Sequence, residues 1–334
     1  MSTARRIVID TDPGLGEPGS DIDDGLAIAL ALRSPELTVE ALTVVNGNVD
    51  VDTGVDVARR LTERFDRAAL PVLRGASQPL LRDMAPVRAM FDDVVGDRPT
   101  SPPPAAERLG PTSPQPAAQF LVDLVAANPG EITVVAIGPM TNLALAMRLD
   151  ATFAGNVAEI VMMAGSATGY AHNITAVGDF NTYVDPEAMA IVLTGGAKIR
   201  MVGIDQTSQV RLFRKDADVL LAGDSFGRWA GECAHAWITF LAKAFPLRPE
   251  HRDACFLHDP LVVAAVVDES LLTWEGAYVA TDPASDLARG LVVAERGLAL
   301  APAPGPHNAQ VAVATDVEGF RRLFLERVAG AASA

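Results

Sequence analysis

The sequence has few cysteines and no long apolar run. Its 334 residues include only two cysteines, so a framework of several disulfides is excluded and a reducing compartment is favoured. Apolar runs such as residues 261–267 are far shorter than the roughly 20 residues that a membrane-spanning helix needs. After Arg6 only three apolar residues precede Asp10, which does not form a signal peptide. We therefore expect a cytoplasmic protein without a membrane span.

Basic residues are outnumbered by acidic ones. The chain has 27 Lys and Arg against 42 Asp and Glu, a formal net charge of −15. Nucleic acid polymers and anionic membrane surfaces attract clustered positive charge. We therefore expect neither of them as a partner, and we interpret most of the negative excess as solvated surface.

Several familiar catalytic motifs are also missing. There is no GxSxG turn for a nucleophilic serine and no GxxxxGK[ST] loop for phosphate. The glycines near the N-terminus do not form the GxGxxG of dinucleotide sites, and no Cys/His spacing indicates zinc. The chemistry of this chain has to be sought in its acidic residues and amides.

The most distinctive stretch is residues 8–32, where an apolar strand runs into an aspartate-rich loop and then an apolar helix. No Lys or Arg lies between Arg6 and Arg33. Aspartates at a helix start are commonly caps, which explains the last two of the set. Carboxylates at the preceding strand end instead favour a hard divalent cation, because Ca²⁺ and Mg²⁺ prefer oxygen ligands. The acidic residues of this stretch are Asp10, Asp12, Glu17, Asp21, Asp23 and Asp24.

Strand-like and helix-like segments alternate along most of the chain. This pattern predicts one α/β domain over residues 1–330, with an open, mostly parallel sheet and helices on both faces. Residues 75–118 contain nine prolines and are expected to form a loop region, and residues 331–334 a frayed tail. Ligands of such folds bind beyond the carboxyl ends of the strands, where the polar clusters of this chain fall.

Three further clusters are candidates for that edge. Asn48 follows Gly47 after the second strand, and is either a turn residue or a ligand of a hydroxyl. Residues 173–181 carry two amides and a carboxylate, which suit a neutral polyol or Asx turns. His258 and Asp259 precede Pro260 at a helix start, where a capping Asp with Pro in the first turn is the structural alternative.

Taken in order, these motifs resemble the inosine–uridine-type nucleoside hydrolases. The similarity runs from about residue 7 to the final helix. The residues that carry it are Asp10 to Gly14, Asp23, Asp24, Gly47, Asn48, Ile137 to Asn142, Met163, Asn173 to Asn181, and His258 to Pro260.

The resemblance implies hydrolysis of the N-glycosidic bond of ribonucleosides to free base and ribose. It implies a Ca²⁺ ion held by Asp12, Asp24, Asp259 and the backbone carbonyl of Ile137. Asp12 would act as general base on a Ca²⁺-bound water, and His258 would protonate or polarise the departing base. It also implies a homodimer or homotetramer. The residues implied to bind substrate are Asp23, Asn48, Met163, Asn173, Asp179 and Asn181.

Between Gly14 and Asp23 this chain differs from the family pattern, because the family has a single residue where Leu15–Ile22 stands here. The roles of Glu17 and Asp21 within this insertion are left open, as is the preferred base. Two alternative functions also stay open. One is a catalytically inactive riboside-binding protein, and the other is a Mg²⁺-dependent phosphohydrolase that uses Asp10 and Asp12.

Overall fold

The computed structural model describes residues 4–95, 115–168 and 171–330. The frayed tail expected at residues 331–334 lies outside these ranges. The strands are β1 (Arg5–Thr11), β2 (Leu37–Val44), β3 (Val72–Arg74), β4 (Ile132–Ala136), β5 (Glu159–Met163), β6 (Ile199–Val202), β7 (Arg211–Phe213), β8 (Ala254–Phe256), β9 (Leu272–Thr281), β10 (Val292–Glu295) and β11 (Ala309–Thr315).

Helices connect these strands and cover the sheet. The helices are α1 (Asp23–Leu32), α2 (Val51–Arg64), α3 (Ala85–Val95), α4 (Ala117–Ala127), α5 (Thr141–Leu149), α6 (Phe153–Asn156), α7 (Phe180–Val184), α8 (Pro186–Thr194), α9 (Ile204–Thr207), α10 (Arg214–Leu221), α11 (Ser225–Ala244), α12 (His258–Val267) and α13 (Val317–Ala329). No helix among the described residues is both long enough and apolar enough to cross a membrane.

The central sheet has nine strands in the order β10-β9-β11-β6-β5-β4-β1-β2-β3. Every pairing from β3 through to β11 is parallel, and only the edge strands β9 and β10 pair antiparallel. The prediction of an open, mostly parallel sheet is therefore confirmed. The chain builds outward from β1 on both sides, so the strand order reverses between β1 and β4. That reversal opens a crevice at the carboxyl ends of these two strands.

Alternation along β1 explains the helices on both faces. Ile7 and Ile9 belong to the core on one face and Val8 to the core on the other, and all three are fully buried. Successive side chains of a strand point to opposite faces, so a strand buried on both faces is apolar throughout. Helices α1, α2, α11, α12 and α13 cover the first face, and α4, α5 and α8 cover the second.

Two local predictions need correction. Asp10, expected just beyond the first strand, lies inside β1 and is fully buried. Residues 85–95, expected as part of a proline-rich loop, form α3. Pro86 is the second residue of α3, where proline is tolerated because the first turn needs no intrahelical N–H donor. The rest of that predicted loop, residues 96–114, lies outside the described ranges.

Helix α1 places its side chains between the sheet and α12, and we expect its packing to carry much of the stability of this region. Leu30, fully buried in α1, loses its contacts in Leu30→Ala, which should lower the free energy of unfolding by about 2–5 kcal/mol. Urea unfolding followed by circular dichroism measures this change. Leu287→Ala is the control, because that side chain is 93% exposed. Equal losses in both variants would contradict the packing described here.

Candidate active site

Three buried carboxylates meet at the carboxyl edge of the sheet. One oxygen from each of Asp23, Asp24 and Asp259 lies within 4.8 Å of the other two. Asp23 and Asp24 begin α1 and Asp259 is the second residue of α12, so two helix N-termini direct their positive ends at the cluster. Burial, and then repulsion from neighbouring carboxylates, raises the pKa of Asp23 and of Asp259 well above the ordinary value. The cluster therefore favours a proton or a cation.

Asp12 lies beside this cluster but does not belong to the three. Its backbone N–H donates to Asp24 Oδ1 at 3.1 Å, and its Oδ2 accepts from the backbone N–H of Asn48 at 2.6 Å. The other oxygen, Oδ1, is buried and has no hydrogen-bond partner among the described residues. Burial raises the pKa of Asp12 strongly, and the charge of Asp24 raises it further. A carboxylate oxygen left in this way is suited to a cation or to a substrate proton.

Two glycines allow the backbone to approach Asp12. A Cβ at Gly47 would lie 1.9 Å from Asp12 Oδ2, and a Cβ at Gly138 would lie 2.7 Å from Asp12 Oδ1. Neither position has room for a side chain unless Asp12 moves. The turn after β2 and the turn after β4 thus fix the Asp12 carboxylate from two sides.

Asn48 supports the carboxylates as well as facing the pocket described below. Its side-chain Nδ2 donates to Asp24 Oδ2 at 2.9 Å, while Thr11 Oγ1 donates to Asp24 Oδ1 at 2.5 Å. Arg88 of α3 donates to the carbonyls of Asn48 and Val49 at 3.1 and 2.6 Å. Because residues 85–95 were expected to be loop, this clamp on the turn after β2 was not predicted.

Asp10 acts from within the sheet. Its Oδ2 accepts from Thr43 Oγ1 at 2.5 Å and from Asn142 Nδ2 at 2.9 Å, which ties β1 to β2 and to the start of α5. Burial raises the pKa of Asp10 to about 7, against the two hydrogen bonds that lower it. This position, inside β1 and absent from the pocket lining, favours a structural role for Asp10.

A pocket of about 610 Å³ lies above the carboxylates. Most of the residues predicted from the sequence line it, which are Asp23, Asn48, Ile137, Met163, Asn173, Asn181, His258 and Asp259. Asp12, Asp24 and Asp179 are not part of its lining. Asn181 Nδ2 donates to the carbonyls of Ile137 and Met163 at 2.8 and 3.2 Å, so this amide joins the ends of β4 and β5.

The expected substrate contact of Asp179 is not supported by its surroundings. Asp179 is 2% exposed and caps α7, with Oδ1 accepting from the Thr182 N–H at 3.1 Å. Its Oδ2 accepts from the Gly165 N–H at 2.8 Å. Both oxygens are thus bound to backbone donors behind the pocket wall. The side chain orients α7, which carries Asn181, because an N-cap sets where a helix begins.

His258 lines the pocket at the start of α12, with its Nδ1 2.7 Å from Thr207 Oγ1 at the end of α9. Burial, assisted by the nearby His251, lowers the pKa of His258 to about 4. The imidazole is therefore neutral at pH 7. Thr207 was not predicted as part of the site, because only folding brings residue 207 beside residue 258.

The outer wall of the pocket is aromatic. It is formed by α11, by the loop that follows it and by the β7–β8 ribbon. The ring centroid of Phe256 lies 5.6 Å from the ring centroid of His251 and 5.2 Å from that of His258. The wall residues absent from the sequence prediction include Arg211, Arg248, Glu250, His251 and Phe256. No local motif marks them, since they come from elements that are distant in the chain.

The insertion Leu15–Ile22 is anchored at one end and reaches the pocket at the other. Leu15 is fully buried and leaves no room for a Cβ at Gly25, while Glu17 forms an ion pair with Arg60 of α2. Ser20 and Asp21 belong to the pocket lining. Burial raises the pKa of Asp21 to about 6. The insertion therefore extends the acidic side of the pocket.

The raised pKa values predict how the metal-free protein responds to pH. A carboxyl group whose pKa is higher in the folded state than in the unfolded state makes the folded protein less stable as the pH rises from the lower value to the higher one. In chelator at pH 7.5, Asp259→Asn should therefore melt above the wild type, by roughly 2–4 °C for each kcal/mol of repulsion removed. At pH 5 the gap should shrink. Calorimetry measures both.

Added Ca²⁺ should raise the melting temperature of the wild type more at pH 7.5 than at pH 5, because the ion binds deprotonated carboxylates. Asp259→Asn should lose this response. Asp286→Asn, with a side chain 89% exposed, should behave as wild type. A wild type that Ca²⁺ leaves unchanged at both pH values would show that the cluster does not hold this ion.

Comparison with known proteins agrees with this geometry. The family model described as "Inosine-uridine preferring nucleoside hydrolase" matches residues 7–322. Among curated relatives, the chain is 34% identical over 335 residues to "Probable uridine nucleosidase 2" of Arabidopsis thaliana, covering 97% of each chain. It is 33% identical over 334 residues to "Non-specific ribonucleoside hydrolase RihC" of Salmonella enteritidis, covering 98% of each chain.

Solved structures give the same result. The "Plant nucleoside hydrolase - PpNRh1 enzyme" aligns with a TM-score of 0.83 at 34% identity, covering 97% of this chain and 99% of the other. The "Purine-Preferring Ribonucleoside Hydrolase from Gardnerella vaginalis" aligns with a TM-score of 0.81 at 28% identity, covering 97% and 98%. Since the match extends over nearly the whole length, from the β1 aspartates to α13, this chain belongs to the inosine-uridine preferring nucleoside hydrolase family.

Proposed function

We propose that this nucleoside hydrolase cleaves the N-glycosidic bond of ribonucleosides to free base and ribose, with Asp12 as general base and Ca²⁺ as its metal. Family membership supports the reaction. The observation that carries the residue roles is the buried Oδ1 of Asp12, which has no hydrogen-bond partner in the described part of the chain. Asp12 adjoins the Asp23–Asp24–Asp259 cluster through its backbone N–H, which donates to Asp24 Oδ1, and three residues from this region, Asp23, Asn48 and Asp259, line a pocket of about 610 Å³.

The donor set fits a hard divalent cation. Asp12, Asp24, Asp259 and the Ile137 carbonyl offer oxygen atoms, which Ca²⁺ prefers. When bound, Ca²⁺ supplies the positive charge that offsets the cluster, orients the ribose diol and makes a water easier to deprotonate. Asp23 also lies within the cluster but lines the pocket, whereas Asp24 does not. We therefore assign Asp24 to the metal and Asp23 to the ribose.

Asp12 is arranged to accept a proton from the attacking water. The Asn48 N–H holds Oδ2, so Oδ1 is the oxygen that remains for the water. In the metal-free site, burial and the charge of Asp24 raise the pKa of Asp12, and a bound Ca²⁺ would oppose both effects. The role of Asp12 as base therefore depends on the position of Oδ1 and not on this shift. Attack at C1′ passes through an oxocarbenium-like state, and the electron pair of the glycosidic bond passes to the base.

The ribose and the base occupy different parts of the pocket in this proposal. Asn48, Met163, Asn173 and Asn181 line the pocket and would bind the sugar hydroxyls. Asp179 supports them by orienting α7 rather than by touching substrate. The base lies against the aromatic wall and beside His258, since planar rings stack well on a heterocycle.

The proposal also covers the alternative functions, the partners, the location and the oligomeric state. Family membership favours a nucleoside over a phosphate monoester, so the Mg²⁺-dependent phosphohydrolase is the weaker alternative. A riboside-binding protein without turnover is an outcome of the assay below. The net charge of −15 supports the absence of nucleic acid partners. A cytoplasmic location, expected from the two cysteines, and a homodimer or homotetramer, implied by the resemblance, belong to the same proposal.

Base release from a panel of purine and pyrimidine nucleosides tests the reaction. Asp12→Asn should lower kcat by at least about a hundredfold, because general base catalysis contributes roughly 10²–10⁴. Chelator should abolish activity and Ca²⁺ should restore it. Asp286→Asn, an exposed aspartate, is the matched control and should retain wild-type rates.

Failure of this test has a defined meaning. A wild type that cleaves no nucleoside at saturating Ca²⁺, yet binds one tightly by calorimetry, is a riboside-binding protein and not a hydrolase. An Asp12→Asn variant with wild-type kcat would remove Asp12 from the mechanism while leaving the reaction intact.

A further inference from the structure

His258 contacts a buried threonine, Thr207, which has no role in the mechanism proposed above. Its Nδ1 lies 2.7 Å from Thr207 Oγ1, well within hydrogen-bond distance. Thr207 is fully buried at the end of α9. The two residues are 51 positions apart in the chain. Their segments are joined by a backbone hydrogen bond, in which the Leu257 N–H donates to the Val210 carbonyl at 3.1 Å.

The number of protons on the hydroxyl and on the imidazole determines which group of this pair donates the hydrogen bond. A hydroxyl has one proton to donate, and a neutral imidazole has one N–H and one acceptor nitrogen. Across the described residues, His258 Nδ1 is the sole hydrogen-bond partner of Thr207 Oγ1. A buried hydroxyl proton needs an acceptor. Thr207 therefore donates to Nδ1, and the imidazole proton is on Nε2.

We propose that Thr207 is a positioning residue that fixes the Nε2–H tautomer of His258, so that Nε2–H donates a hydrogen bond to the departing nucleobase. This inference rests on the proposed function of the same pocket. The C1′–N bond breaks, its electron pair passes to the base, and Nε2–H stabilises the resulting negative charge. Asp12 takes a proton from the attacking water, whose oxygen forms the new bond to C1′. The base takes up a proton from solvent on release, and Asp12 returns its proton to solvent, which restores the enzyme.

The same proton count makes the donor neutral. Because Nδ1 accepts from Thr207 Oγ1, Nε2 holds the single proton of the ring. Phe256, 5.2 Å from the His258 ring between centroids, keeps an apolar surface on one side of it. A neutral imidazole can stabilise developing charge by a hydrogen bond without transferring a proton. The sequence left open whether His258 protonates or polarises the base, and this geometry points to polarisation.

The kinetic test compares leaving groups. Thr207→Val keeps the shape of the side chain but removes the hydroxyl, and Thr207→Ser keeps the hydroxyl. With the best nucleoside of the panel, Thr207→Val should lower kcat roughly tenfold with little change in KM. With p-nitrophenyl riboside, whose leaving group needs no assistance, kcat should change less than about twofold. Thr207→Ser should retain most of the wild-type rate on both substrates.

Thr62→Val is the matched control, because Thr62 is a buried threonine of α2 whose hydroxyl donates to the Arg59 carbonyl at 2.9 Å. It removes one buried hydroxyl away from the pocket and should leave both rates unchanged. An equal loss on both substrates in Thr207→Val, with thermal stability lowered as in Thr62→Val, would assign Thr207 a merely structural role.

Nitrogen-15 NMR of the imidazoles tests the tautomer without any turnover. The chain has five histidines, and His258→Gln identifies the signals of residue 258. The wild type should show Nε2–H, and Thr207→Val should show a mixture of tautomers. A wild type with Nδ1–H overturns the inference. If the wild type cleaves neither substrate, the proposed function fails, whereas the NMR result still decides the tautomer.

Discussion

Mutual repulsion among buried carboxylates is the constraint on which this site depends. Asp23, Asp24 and Asp259 lie within 4.8 Å of one another, and Asp12 contacts Asp24 through its backbone N–H. Such an arrangement costs free energy unless protons, cations or N–H donors compensate it. Part of this compensation comes from two helix N-termini, from the Asn48 amide and from the Thr11 hydroxyl, which donates to Asp24. Among the described residues, the negative charge of the cluster and the buried Asp12 Oδ1, which has no hydrogen-bond partner, remain uncompensated.

The architecture makes this concentration of charge possible. The strand order reverses at β1, so the turns after β1, β2, β4 and β5 converge on one crevice. Glycine at positions 47 and 138 lets two of those turns approach Asp12 closely. Support comes from further out, where Asp10 ties the strands together and Arg88 clamps the turn after β2. Residues outside the pocket lining therefore determine the positions of those that line it.

The pocket has an inner part built from the motif residues and an outer part built from residues outside those motifs. The inner part consists of carboxylates and amides at strand ends. The outer part contains the aromatic wall and the polar end of the insertion, where Ser20 and Asp21 reach the lining. The insertion is anchored by Leu15 and by the Glu17–Arg60 ion pair, so its polar end is held at the pocket.

Much of the fold and of the inner site followed from the sequence. Alternating apolar strands and helices predicted the parallel sheet, because a strand buried on both faces has no polar alternation. Polar motifs at strand ends, in loops and at helix starts were expected to bring Asp12, Asp23, Asn48, Asn181 and Asp259 to one edge, because parallel strands share their carboxyl ends. Helix α3 was not predicted, because its proline was taken as a sign of a loop. That proline lies in the first turn, where proline does not interrupt a helix.

Only the tertiary structure decided which groups meet. It turned Asp179 toward backbone donors, brought Thr207 of α9 against His258 of α12, and assembled the aromatic wall from α11 and the β7–β8 ribbon. Contacts of this kind depend on how distant elements pack, and no local pattern encodes them. The sequence by itself determined which chemical groups are present and at which edge of the sheet they lie. Packing decided which of their atoms are bound and which remain free to react.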